Sequence, residues 1–134
     1  MNDNIITYKD SNQKVMARLI KSEYKGSGIE FLTNDNDYMQ VAYMGHPKGH
    51  IIQPHYHNKI IREIDYTCET LVIRKGRLEV SLYENQEIIY LFEIKTGDIL
   101  TLYSGGHGFK VLEELEMVEI KQGPYIGIDD KTRF

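Results

Sequence analysis

An all-β fold is what this sequence predicts, and three observations carry it. Turn signals recur at roughly ten-residue spacing from residue 69 onward, the interval expected of a β-sandwich or barrel. Glycine (11) and tyrosine (10) are plentiful while proline (3) is scarce and tryptophan absent, which suits short turns and half-buried strand positions. No stretch keeps a helical periodicity for three turns.

The elements follow in order. Residues 1–14 are polar and irregular, with Ile5, Ile6 and Tyr8 able to add a short strand at a sheet edge. Val15 to Ile20 is the first full strand, and Ile29 to Leu32 follows the Lys25-Gly26-Ser27-Gly28 turn. Asn34-Asp35-Asn36-Asp37 is a turn cluster, because Asn and Asp bond their own backbone and accept left-handed geometry. Tyr38 to Met44 reads as a strand entering a Gly45–Gly49 loop. Beyond the histidine-rich stretch, Glu69 to Arg74 is a strand closed by Lys75-Gly76. Arg77 to Tyr83 alternates cleanly, with Leu78, Val80 and Leu82 facing the core. Ile88 to Ile94, Ile99 to Tyr103, Phe109 to Leu112 and Met117 to Lys121 complete the set. The tail 123–134 is turn-rich, and its Tyr, Ile and Phe residues predict ordered packing.

At 134 residues, with neither linker nor internal repeat, the chain reads as one domain with a real core. A net charge of −4 provides no basic stripe, so nucleic acid is not an expected partner. No apolar run reaches the length of a membrane span, so no membrane is expected, and Met1-Asn2-Asp3-Asn4 lacks the signal-peptide pattern. Cys68 is the only cysteine, which excludes an internal disulfide framework, and a cytoplasmic protein is expected.

The chemistry-bearing residues cluster. On an extended strand, residues two apart share a face, so His55 and His57 of Gly49-His50-Ile51-Ile52-Gln53-Pro54-His55-Tyr56-His57 are expected side by side. Tyr103-Ser104-Gly105-Gly106-His107 adds a third imidazole behind two glycines. Gly49-x5-His55-x-His57, continued by Glu69-x6-Gly76, resembles the first signature of the cupin superfamily, G-x5-H-x-H-x3-4-E-x6-G. Gly97-x5-Tyr103-x-Gly105, followed by His107, loosely resembles the second signature, G-x5-P-x-G-x2-H-x3-N. Tyr stands there for Pro, His107 comes one residue early, and the final Asn is missing. Between His57 and Glu69, eleven residues replace the usual three or four. Glu63 lies nearer the usual distance but has no glycine seven residues on; Glu69 has Gly76 and is favoured as the carboxylate.

The resemblance covers roughly residues 38–122 and implies a double-stranded β-helix, a cupin or jelly-roll barrel. The single cupin domain would then divide into N-terminal strands (1–37), a barrel core (38–122) and the ordered tail. It also implies a homodimer paired through added N-terminal strands. His55, His57, Glu69 and His107 would be a three-histidine, one-carboxylate set for a divalent transition metal, Mn, Fe, Ni, Co or Zn. A metal-free polar cluster is the competing reading of the same four residues. The ending resembles small stand-alone cupins of nucleotide-sugar and surface-polysaccharide pathways, which implies a small polar substrate such as a sugar derivative.

Cupins host many chemistries, so the implied function divides. An isomerase- or epimerase-type proton transfer would use Glu119 or Lys121, which share one face of the last strand, as acid or base. The solvated reading of that face competes, because charged residues are mostly exposed. An iron-dependent dioxygenase and a non-catalytic metabolite sensor are the other two readings. Arg62 and Glu63 read as a solvated loop or a lid, Tyr56 as a packing or hydrogen-bonding residue rather than a catalytic one, and Cys68 as a small buried hydrophobe. His46 and His50 read as surface or capping residues. No phosphate-cradling glycine loop and no glycosidase-like acid pair is present.

Overall fold

The computed structural model describes residues 2–134. Eight strands are joined by antiparallel pairing: β1 (Ile5–Lys9), β2 (Val15–Ile20), β3 (Gly28–Phe31), β4 (Ala42–Gly45), β5 (Glu69–Glu84), β6 (Glu87–Lys95), β7 (Ile99–Leu102) and β8 (Gly106–Lys121). A short 3-10 helix at Gly127–Asp130 is the only helical element among the described residues. The all-β expectation holds, and the architecture is a curled antiparallel sheet forming a half-barrel. β1-β2-β7-β5-β6 form one path, with β8 along β5, while β3 and β4 make a separate two-stranded sheet.

The curl comes from a long hairpin that bends. β5 is one sixteen-residue strand where the sequence reads as two, and so is β8. Lys75-Gly76, expected to reverse the chain, instead forms a corner within β5. Three register shifts between Ile73 and Leu78 mark it. Gly76 sits there at φ 96°, and a Cβ on it would meet the Glu114 carbonyl oxygen at 2.1 Å. Only glycine accepts both demands.

Before the corner, β5 pairs with β7; after it, with β6; β8 runs alongside throughout. The sheet therefore folds over on itself. Leu71, Ile73, Leu100, Ala17 and Leu19 from one side meet Leu78, Val80, Leu82 and Ile94 from the other in one buried core. The expected core face of Leu78, Val80 and Leu82 is confirmed, each being fully buried. Tyr8 of β1 stacks on Phe92 of β6 at 4.3 Å, stitching the first strand to the folded-over half. Burial then pushes the Tyr8 hydroxyl up to about 12.

β2 holds one residue that its apolar pattern conceals. Arg18 is buried, and its Nε donates to Asp37 Oδ2 at 2.8 Å while Nη1 donates to Thr7 Oγ1 at 2.8 Å. Opposite it on β7 stands Thr101, whose hydroxyl lies 3.1 Å from that of Thr70. A strand that is apolar on both faces should have signalled that any charge within it must be paired.

Residues 46–68 depart most from expectation. The strand predicted from Tyr38 is confined to Ala42–Gly45, and no residue from 46 to 68 belongs to a strand or helix. Pro54 supplies no N–H for a ladder, and no neighbouring strand offers this segment a partner.

Candidate functional site

Glu69, the first residue of β5, stands opposite Leu102 of β7 and Lys121 of β8. Leu71 and Ile73, which share its face, are fully buried, so alternation turns the Glu69 carboxylate toward the concave side. His107 lies near the start of β8, opposite Leu82. On a flat ladder the thirteen residues from 69 to 82 would hold the two apart by roughly 40 Å, at about 3.3 Å each. In the folded-over sheet His107 Nε2 is instead 3.5 Å from Glu69 Oε2. The bend at Gly76 makes this pair.

The Glu69 carboxyl is held below the usual carboxylate range, chiefly by the His107 imidazole beside it. Burial opposes that shift, while Glu119 and Lys121 beside it add to it. Both stand on the face of β8 that pairs with Leu71 and Glu69 respectively, and Glu119 is solvent-exposed there, as expected of a charged residue. Lys121 is engaged, with Nζ 2.7 Å from Asp130 Oδ2, and this bond raises its affinity for a proton. It is a tether for the tail more than a free base.

That tether defines the mouth. Thr67 Oγ1 donates to the other Asp130 oxygen at 2.6 Å, so the 3-10 helix is tied to β8 and to the segment entering β5. Beyond it, Phe134 packs edge-on against Tyr83 at 5.0 Å and lies over Gly106. The tail thus meets the half-barrel at Tyr83 and Gly106. Gly105, at φ 77°, leaves room for Met16 Cε, which a Cβ there would approach to 2.6 Å. Between tail and sheet lies a cavity of about 800 Å³ lined by Glu69, His107, Tyr83, Tyr103, Lys14 and Arg133, among others. Burial and the neighbouring Asp37 raise the Tyr103 phenol far above its ordinary value, so it stays a neutral hydroxyl. Its hydroxyl donates to the Met39 carbonyl at 2.9 Å.

The other predicted site residues lie elsewhere. His55 and His57 are exposed on the 46–68 segment, their rings edge-to-face at 5.5 Å. His55 Nδ1 is 2.8 Å from the Gln53 carbonyl oxygen. They remain neighbours, but the strand geometry expected to aim them at Glu69 is absent. Of the two candidate carboxylates, Glu69 accompanies His107, while Glu63 is exposed with Arg62 on the same segment. Tyr56, expected to pack or to hydrogen-bond, is exposed, so it does not pack. Cys68 is a buried thiol whose pKa is raised by desolvation, as expected for a small hydrophobe. His46 and His50 stack on one another at 4.0 Å.

Among the described residues, no three His, Cys, Asp or Glu side chains converge as metal ligands. Two of the four expected donors, Glu69 and His107, are close enough to share one ion. His55 and His57 form a second pair outside that site, so the four-ligand set does not fit a single centre as placed. Asp130, Thr67 and Phe134 were not foreseen. For Phe134 the signal was the Tyr, Ile and Phe content of the tail, which predicted packing without saying where; Asp130 and Thr67 had none. No family model, curated protein or solved structure matches this chain.

Proposed function

We propose that the mouth binds a small polar metabolite, such as a sugar derivative, and that His107, oriented by Glu69, moves a proton on it. The observation carrying this reading is the 3.5 Å contact between His107 Nε2 and Glu69 Oε2 at the wall of the cavity. A carboxylate beside an imidazole fixes the orientation of the ring, the positioning a general base needs. Glu119, exposed on β8 beside Glu69, is the second acid–base group, and Tyr103 lines the cavity with its hydroxyl donating to the Met39 carbonyl. Proton transfer next to a carbonyl, as in an isomerase or epimerase, is the reaction class.

The reading takes the half-barrel as a double-stranded β-helix of the cupin kind. Gly76 supports it by standing at the corner that brings Glu69 to His107. It also takes the protein as cytoplasmic, on the strength of a single cysteine with no disulfide partner.

A divalent transition metal is the second reading, favoured by the spacing of Glu69 and His107. Glu69 and His107 would supply two donors, and His55 and His57 would have to join them. A metal bound there would supply Lewis-acid polarisation of the substrate oxygen. An iron-dependent oxygenase and a metabolite sensor share the same pocket.

Solvent exchange separates these readings. In D2O, with a panel of keto and aldo sugars and nucleotide sugars, the wild-type protein is expected to place deuterium on the carbon next to a carbonyl. NMR reads the exchange, and His107→Gln should lose it. Ligand-dependent stabilisation without exchange by any panel member would overturn the enzyme reading in favour of a binding module.

A further inference from the structure

The cavity at the mouth treats its two kinds of charge differently. Its carboxylates are all engaged within the protein. Asp10 Oδ1 accepts the backbone N–H groups of Asn12 at 2.8 Å and Lys14 at 3.0 Å. Glu69 stands against His107, and Asp130 is held by Lys121 and Thr67. Its cations, Lys14, Lys131 and Arg133, have no ion-pair partner among the described residues. A lysine without a partner is ordinary on a surface. These cations differ because they come from two separate elements and border one cavity, in a chain of net charge −4.

The fold holds them there from two sides. Lys14 ends the turn between β1 and β2, and its ammonium lies 5.2 Å from the centre of the Tyr66 ring, another wall of the cavity. Lys131 and Arg133 lie between two anchored points of the tail. One is Asp130, bonded to Lys121 and Thr67; the other is Phe134, packed on Tyr83 and over Gly106. Gly106 immediately precedes His107, so the cationic segment ends beside the residue that faces Glu69.

We infer that Lys14, Lys131 and Arg133 form a phosphate subsite, so that the metabolite bound at the mouth is a phosphate monoester; this rests on the mouth being the binding site proposed above. A phosphate monoester carries a charge of about −1.5 to −2 near neutral pH and offers three strong acceptor oxygens, whereas a carboxylate carries a single charge. The planar guanidinium of Arg133 can take two of those oxygens, and the two ammonium groups act as point charges. With the phosphate at the tail, the rest of the molecule extends across the cavity of about 800 Å³ toward His107 and Glu69. Binding energy from this remote group then orients the reacting end.

Inorganic phosphate is the probe, titrated calorimetrically into the wild-type protein in a buffer without other polyvalent anions. It should bind one equivalent per chain, about tenfold tighter than acetate. Arg133→Gln and Lys14→Gln should each weaken phosphate binding about fivefold, while Lys25→Gln, outside the cavity, leaves it unchanged. All of these side chains are exposed, so urea midpoints equal to that of the wild type verify folding, and Lys131→Gln replaces either cavity variant that fails to fold. Absence of phosphate binding, equal affinities for phosphate and acetate, or an equal loss in Lys25→Gln would overturn the subsite. Solvent exchange separates this failure from failure of the proton transfer. Phosphate binding that weakens in Arg133→Gln, with no exchange on any sugar phosphate, supports the subsite and removes His107 as the base. Exchange on free sugars as fast as on their phosphates keeps His107 and overturns the subsite.

Discussion

The corner at Gly76 and the arm at 51–66 are built from similar material with opposite outcomes. Both are rich in β-branched and aromatic residues, and both flank the start of β5 or lie within it. Around the corner every apolar side chain of β5 finds a neighbour, because the strand pairs on both edges and then folds over its own far half. On the arm, Ile51, Tyr56 and Ile61 stay exposed because no ladder accepts them. The difference teaches that apolar content creates a demand for burial, while pairing partners decide whether it is met.

The sharpest way to break this comparison is Gly76→Val. A β-branched side chain at φ 96° that must also displace the Glu114 carbonyl is expected to cost about 3 kcal/mol or more, enough to unfold a marginal domain. Urea denaturation or loss of soluble protein reads it, and a variant of wild-type stability would remove the corner from the account. Next, Leu78→Ala should cost about 2–5 kcal/mol by leaving a cavity in the core. Ile61→Ala on the arm should change the stability of a single chain by no more than about 0.5 kcal/mol. Equal losses at the two positions would mean that the arm is packed within its own chain.

Smaller effects probe the mouth. Asp130→Asn removes the charge that ties the tail to Lys121, so carboxypeptidase should trim residues 131–134 faster than in the wild type. Trimming at an unchanged rate would show that Phe134 on Tyr83 holds the tail unaided. The smallest effect is the pH dependence of the Glu69–His107 pair. Since Glu69 is depressed in the folded protein, it contributes stability that is present above the ordinary carboxylate range and lost as pH falls through its folded value. Unfolding followed from neutral pH downward should therefore lose stability less steeply in Glu69→Gln than in the wild type. Parallel curves would mean that the pair carries no net linkage.

Much of this was legible in the sequence. Alternation in Arg77–Tyr83 named three core residues, and a glycine seven places beyond Glu69 selected that carboxylate over Glu63 as the neighbour of His107. The turn clusters separated most strands within a few residues of where they end. Less legible was the role of Lys75-Gly76, since a reversal and a corner share the same positive-φ glycine. Buried Arg18 was also missed, because its partner Asp37 is nineteen residues away in a turn.

By itself, then, the sequence determined the strands, their buried faces and the chemical types gathered at one end of the fold. These follow from local rules: side-chain alternation, turn chemistry and the fixed φ preferences of glycine. Only the tertiary structure decided which of those residues meet. Glu69 and His107 meet because a sixteen-residue ladder bends back on itself, and Lys121 is engaged because Asp130 returns from the tail. His55 and His57 stand apart because two-residue spacing orients side chains only once a neighbouring strand has paired. That pairing is a non-local event, and no short motif contains it.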